Sequence, residues 1–149
     1  MRAWRICKRR YTDTAFSGEG AFHYGGRWNS RSVRVVYLGG NPSISALEII
    51  VNVDDWQDPY RIPYALIPVD FDESLVSRVE TLPADWKEDP SPLSTAKIGD
   101  EWFRCRRSAL LEVPSAVIPV EHNFILNPLH EAFGEIKIGE PQKFEFDAG

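Results

Sequence analysis

One stretch restricts the fold more than any other. It runs Ser32-Val33-Arg34-Val35-Val36-Tyr37-Leu38, then Gly39-Gly40-Asn41-Pro42-Ser43, then Ile44-Ser45-Ala46-Leu47-Glu48-Ile49-Ile50-Val51. The β-branched residues of the first run favour extended backbone. The glycine pair ends it, and Asn41, Pro42 and Ser43 can start a helix through side-chain capping and a fixed proline φ. The spacing predicts a helix from about Ser43 to Val51. Ile44, Glu48 and Val51 then fall on one face at i, i+4 and i+7, with Leu47 and Ile50 on the adjacent strip. A lone carboxylate is thereby placed at or beside the packed side of an otherwise apolar helix. An ionised carboxylate without a partner is rarely buried in such a position. Either Glu48 faces water or forms a structural ion pair, or an arginine and a ligand meet it in a cleft.

The rest of the chain extends this strand–turn–helix unit into a mixed architecture. Residues 17–32 carry four glycines, three serines and an asparagine, which predicts a loop with aromatic anchors rather than a long helix. Ala65-Leu66-Ile67-Pro68-Val69-Asp70-Phe71 reads as a second strand, at an edge or a strand end because of its proline. Residues 80–99 are polar and proline-rich and read as a long excursion. Trp102 begins a short segment leading to Ser108–Val113. Pro114–Pro119 is a short apolar element framed by prolines, and Asn123–His130 reads as a packed loop running into a turn or short helix. Phe133, Ile136, Ile138, Phe144 and Phe146 allow a final strand. Asp55-Trp56-Gln57-Asp58-Pro59 resembles Asp85-Trp86-Lys87-Glu88-Asp89-Pro90, but two turn-like phrases do not make a repeat architecture. The expected fold class is α+β, one compact domain over residues 1–149.

The composition narrows the function. A chain of 149 residues holds one domain, able to bury roughly two-thirds of its unfolded surface. With 17 basic and 22 acidic side chains its formal net charge is −5, which argues against a general nucleic-acid binder. Two cysteines, Cys7 and Cys105, supply neither a disulfide framework nor a closed zinc site, although they could pair. The N-terminus lacks the apolar core of a secretory peptide, and no stretch is long and apolar enough to span a bilayer. A soluble cytoplasmic protein is expected, with no membrane association and no metal.

Several residues could carry chemistry, each with a plainer alternative. In a cleft, an ionised Glu48 could accept hydrogen bonds from ribose hydroxyls and steady positive charge developing at an anomeric carbon. Arg27, in Tyr24-Gly25-Gly26-Arg27-Trp28-Asn29, either holds the glycine-rich loop or clamps a phosphate or carboxylate through its planar guanidinium. The loop matches neither a Walker phosphate loop nor a GxGxxG fingerprint. Arg5 is either a frayed surface arginine or is carried by a terminal strand into the same site. Tyr37 either fills the core or stacks on a planar ligand while its hydroxyl orients a hydrogen bond. Trp28 reads first as a packing residue and second as a stacking ring. Ser115 offers a turn hydroxyl or a contact to phosphate, ribose or nicotinamide, and no nucleophile elbow surrounds it. Asn123 either organises a turn or contacts a ligand through its amide. His23, His122 and His130 show no zinc-like spacing with the cysteines.

Taken in order, these pieces resemble the RES-domain family of bacterial toxins, usually paired with an Xre-like antitoxin. The resemblance covers nearly the whole chain. It rests on Trp4-Arg5-Ile6, Gly18-Glu19-Gly20-Ala21, Gly25-Gly26-Arg27-Trp28-Asn29, Val36-Tyr37-Leu38, Ala46-Leu47-Glu48, Val113-Pro114-Ser115-Ala116 and Asn123-Phe124-Ile125-Leu126-Asn127-Pro128. The arginine, glutamate and serine that name the family would be Arg27, Glu48 and Ser115. The resemblance implies a fold similar to NAD-using ADP-ribosyltransferases of the diphtheria-toxin kind. It also implies cleavage of the nicotinamide–ribose bond of NAD, with water or inorganic phosphate as acceptor. Arg5 and Arg27 would engage the phosphates or adjoining ribose, and Tyr37, with Trp28 near it, would pack beside nicotinamide. Glu48 would stabilise an oxocarbenium-like transition state, while Ser115 and Asn123 would contact nucleotide or acceptor. The implied partner is a cognate antitoxin that covers the cleft and makes the main DNA contacts, with homo-oligomerisation within the complex a further expectation. Two alternatives stay open: mono-ADP-ribosylation of a protein, and a non-enzymatic binding module using Arg27 and Glu48 as an internal ion pair.

Overall fold

The computed structural model describes residues 1–53, 57–147 and 149, so Asp55 and Trp56 of the first turn-like phrase lie outside the described residues. Among the described residues, eight strands form one mixed sheet, accompanied by three α-helices. The strands are β1 (Arg2–Lys8), β2 (Val36–Gly39), β3 (Tyr64–Asp70), β4 (Val76–Arg78), β5 (Leu110–Pro114), β6 (His122–Leu126), β7 (Lys137–Ile138) and β8 (Gln142–Phe144). The helices are α1 (Glu19–Tyr24), α2 (Pro42–Asn52) and α3 (Leu93–Cys105). The sheet order is β4-β5-β6-β2-β1-β3-β7, and β8 also pairs with β3. Among the described residues, only β4 and β5 pair in parallel. The expected α+β class is the observed one.

Strand β1 pairs with β3 along its full length but with β2 only at Trp4↔Gly39. The sheet therefore parts into two wings on either side of that junction. One core lies on one face of both wings, with Ala3, Val36, Leu38, Val69, Phe71, Leu110, Phe124 and Leu126. A second covers the opposite face of the β2–β6–β5 wing, with Trp28, Val35, Trp102, Leu111, Val113 and Ile125. Period-two alternation sends Leu110 to one core and Leu111 to the other, and separates Phe124 and Leu126 from Ile125. Each fully buried aliphatic or aromatic side chain contributes about 1.5–3 kcal/mol relative to exposure.

Several expectations change here. Strands buried on both faces read as continuous apolar runs, not as alternation. Asn123–Leu126 thus belongs to β6 and is not a packed loop. The expected strand over 32–38 shortens to Val36–Gly39, because residues 29–35 close the preceding loop. The polar stretch 80–99 ends in α3, whose buried residues are Thr95, Ala96, Gly99, Asp100 and Trp102. Pro68 lies inside β3, where its carbonyl accepts from the Gly139 N–H on the side away from β1. Its missing N–H therefore faces Gly139 at the end of the short strand β7, and the ladder to β1 is left intact.

Helix α2 starts as its sequence predicts. Asn41 caps it, Oδ1 accepting from the Ile44 N–H at 2.8 Å, and Pro42 occupies the first turn. Ile44 and Ser45 are its buried residues, whereas Val51 is 50% exposed. The helix therefore rises off the sheet towards its C-terminus, and Glu48 sits at the margin between packed and open.

Candidate active site

Glu48 is held by two side chains from across the sheet. Its Oε1 accepts from Ser115 Oγ at 2.7 Å and from Asn123 Nδ2 at 2.9 Å. Its Oε2 accepts nothing from the described residues. Ser115, 0% exposed, follows β5, and its Oγ also accepts from the backbone N–H groups of Val117 and Ile118 at 3.1 and 3.2 Å. Two amides aimed at the hydroxyl oxygen polarise it and fix its proton toward the carboxylate. Asn123 must present its amide nitrogen to a carboxylate, and its Oδ1 is left buried without a hydrogen-bond partner.

The elements that carry these groups are themselves cross-linked. Asn41 Nδ2 donates to Glu121 Oε2 at 2.8 Å, Gly40 N–H to His122 O at 2.9 Å, and Ser115 N–H to Glu121 O at 2.9 Å. The start of α2 and the turn between β5 and β6 thus form one unit around the carboxylate.

Tyr37 shares that face. Gly39 pairs with Asn123 and Tyr37 with Ile125, so Tyr37 stands one diagonal step from Asn123 on the same side of the sheet. Its hydroxyl is fully used within the chain: it donates to Asn29 Oδ1 at 2.7 Å and accepts from the Trp28 N–H at 3.0 Å. The expectation that this hydroxyl orients a ligand gives way to a structural role, while the ring is only partly covered. Burial pushes the hydroxyl well above the ordinary tyrosine range. The Trp28 N–H pulls it down, Asp100 raises it, and Arg27 lowers it. Gly26 sits against this hydroxyl, where a Cβ would come within 2.6 Å of it. Only glycine lets the loop lie this close.

Arg27 projects from the loop so anchored. Its Nη1 donates to the carbonyls of Trp86 at 2.8 Å and Glu88 at 2.9 Å. Neither contact involves Glu48, which removes the internal Arg27–Glu48 ion pair on which the non-enzymatic module depended. Trp28 is 3% exposed and part of the second core, so its ring is a packing element.

Arg5 stands apart from this cluster. It pairs opposite Ile67, beside the parting of β1 from β2, and donates to Ala15 O at 3.1 Å and Ile6 O at 3.3 Å. Trp4, its neighbour, is the residue that shares a face with Gly39 and Asn123. Burial pulls the Arg5 guanidinium below its ordinary value, offset in part by Cys7. It stays cationic all the same, and a desolvated cation held only by carbonyls favours an anion. Arg5 is therefore tucked into a strand, not frayed.

Sequence reasoning assigned no role to Asn29, Thr95 or Asp100, which hold the Arg27 loop. Asn29 Nδ2 donates to the carbonyls of Ala21, Ser30 and Val33. A buried asparagine in a glycine-rich loop is the signal that was there to read. Cys7 is buried, Cys105 is exposed, and both are free thiols. A cavity of about 440 Å³ lined by Arg78, Ile98, Glu101, Trp102, Arg107 and Leu111 lies between β4 and α3 and includes none of the residues above. Convergent polar groups mark the candidate site, not cavity size.

Comparison with known proteins places these observations in a family context. The family model for the RES domain matches residues 2–147. The chain is 34% identical over 148 residues to a Toxin Res of Yersinia enterocolitica, covering 99% of this chain and 97% of that protein. It is 38% identical over 135 residues to a Toxin Res of Photorhabdus laumondii, covering 89% and 85%. A Prs ADP-ribosylating toxin of Sphingobium is 30% identical over 151 residues, covering 97% and 92%. Among solved structures, a chain of the M. tuberculosis MbcT–MbcA toxin–antitoxin complex shares the fold with a TM-score of 0.78 at 16% identity, over 97% of this chain and 84% of that one.

Proposed function

The chain belongs to the RES-domain family, and from that premise we propose that it is the toxin of a toxin–antitoxin system that destroys NAD at its nicotinamide–ribose bond. The observation that carries this reading is the Glu48 carboxylate. Ser115 and Asn123 fix one of its oxygens, and the other accepts nothing from the described residues, on the face that also bears the Tyr37 ring.

Such a carboxylate suits a reaction in which positive charge grows on carbon. The bond between ribose C1′ and the pyridinium nitrogen breaks, and its electron pair leaves with nicotinamide, which departs neutral. No strong general acid is needed. C1′ acquires oxocarbenium character, and Glu48 stabilises it electrostatically while its free oxygen accepts from a ribose hydroxyl. Ser115 and Asn123 act on Glu48 by holding its rotamer, which removes a reorganisation cost at the moment of reaction. Arg27, with Nη1 engaged by carbonyls, directs Nε and Nη2 to the pyrophosphate, and Arg5 provides a second cation for that end of the substrate. The Tyr37 ring packs beside nicotinamide. Water or inorganic phosphate then takes C1′, giving ADP-ribose or ADP-ribose 1-phosphate.

A second reading shares the first step and transfers ADP-ribose to a protein. The relative named as an ADP-ribosylating toxin favours it. In both readings a cognate antitoxin of the Xre-like kind covers the cleft in the cytoplasm, and DNA contact belongs mainly to that partner.

Product analysis of antitoxin-free protein with NAD, with and without phosphate, tests the proposal. Nicotinamide release with free ADP-ribose supports hydrolysis, and phosphate-dependent ADP-ribose 1-phosphate supports phosphorolysis. Label carried only onto protein in cell extract favours the second reading, and absence of nicotinamide in every arm contradicts both.

A further inference from the structure

We infer that helix α3 is a splint for the arginine loop, with Thr95 and Asp100 as positioning residues for Arg27. The inference rests on the reading that Arg27 grips the pyrophosphate of NAD, and it names the part of the chain that keeps that grip in place.

Three consecutive contacts join the inner face of α3 to the loop. Thr95 Oγ1 donates to the carbonyl of Arg27 itself at 2.6 Å. Gly99 lies directly under the carbonyl of Trp28, where any Cβ would overlap that oxygen. Asp100 takes Ser30 with both carboxylate oxygens, accepting from its N–H at 2.8 Å and from its hydroxyl at 2.5 Å. Thr95 is 0% exposed and Asp100 6%. Thr95 and Gly99 are separated by about one helical turn and Asp100 is adjacent, so the three contacts come from one side of the helix, beneath residues 27, 28 and 30.

The chemistry of these contacts distinguishes a positioning device from ordinary packing. Buried polar groups cost free energy unless fully paired, and apolar side chains would cover the loop as well. Fully paired polar networks specify one geometry, which apolar contacts do not. The opposite side of the loop is treated alike, through Tyr37 and Asn29. The Arg27 side chain is fixed separately by Trp86 O and Glu88 O. Backbone and one guanidinium nitrogen are thus set before any ligand arrives, and less ordering remains to be done on binding.

The test uses the full chain as wild type, Thr95→Val, Thr95→Ser and Asp100→Asn. Two readings are taken: KM and kcat for NAD, and hydrogen–deuterium exchange of the amides of residues 26–31. Thr95→Val and Asp100→Asn are expected to raise KM on the order of ten-fold while kcat changes far less, since the clamp contributes to substrate and transition state alike. Exchange in 26–31 should quicken in both, and Thr95→Ser, which keeps the hydroxyl, should restore both readings. Unchanged KM in folded Thr95→Val and Asp100→Asn overturns the inference, as does a Thr95→Ser protein no better than Thr95→Val. Should Thr95→Val not fold, Asp100→Asn and Thr95→Ser carry the same comparison. If the wild type itself releases no nicotinamide, the NAD reading fails by that result alone. Exchange then decides the splint: faster in the variants upholds it, unchanged overturns it.

Discussion

At the scale of single residues, the site depends on hydrogen bonds made between protein groups before any ligand is present. Tyr37 shows the consequence. Its hydroxyl serves the Trp28 N–H and Asn29 Oδ1 together, so Tyr37→Phe strands two buried polar groups and should cost about 1–3 kcal/mol of stability by urea denaturation. The same residue gives a pH signature. Burial first of all holds its proton well above the ordinary value. A folded-state value raised above the unfolded one favours the fold fully at pH below the unfolded value and progressively less as pH climbs past it. Wild-type stability should therefore fall more steeply than that of Tyr37→Phe above about pH 10, where an unfolded tyrosine ionises. Parallel slopes for the two proteins would show that the hydroxyl is not desolvated. How far the site was legible follows the same division. Glu48 stood out because a carboxylate in an apolar helix needs a partner. That its partners are Ser115 and Asn123 could not be read, because they lie 67 and 75 residues away along the chain.

Among the elements, α2 was legible and α3 was not, for reasons that lie in their starts and their buried faces. Helix α2 announces itself through Asn41, Pro42 and an apolar run. Helix α3 has Pro92 at its N-cap with no side-chain cap bond, and Trp102 is the one large apolar residue among those it buries, beside Thr95, Ala96, Gly99 and Asp100, so neither a start signal nor an apolar run marks it. Strands β5 and β6 were blurred by the opposite cause, apolar residues on both faces. The cap of α2 carries a prediction of its own. Asn41 satisfies the Ile44 N–H and also ties the helix to Glu121. Asn41→Ala should cost about 1–2 kcal/mol in a denaturation experiment, whereas Asn41→Ser, which keeps the cap, should recover much of that loss. Equal losses from the two would place the main contribution in the Glu121 contact.

For the molecule as a whole, the parted sheet sets where the candidate site residues stand. Strands β1 and β2 meet at one residue pair and then diverge, so the arginine of the first strand lies at the parting while the carboxylate and tyrosine stand on the other wing. No local periodicity encodes that geometry. The order of short motifs along the chain pointed to the family through a resemblance, and the match over residues 2–147 agrees with the family. Two wings sharing one core, with glycosidic chemistry at their junction, is the central claim. Nicotinamide release from NAD by purified wild type and by Glu48→Gln, both shown folded by circular dichroism, tests it most directly. The account predicts steady release by wild type and a fall on the order of 10²–10³-fold in the variant, with KM much less affected. Equal release by the two folded proteins, or none from wild type freed of its antitoxin, would contradict it.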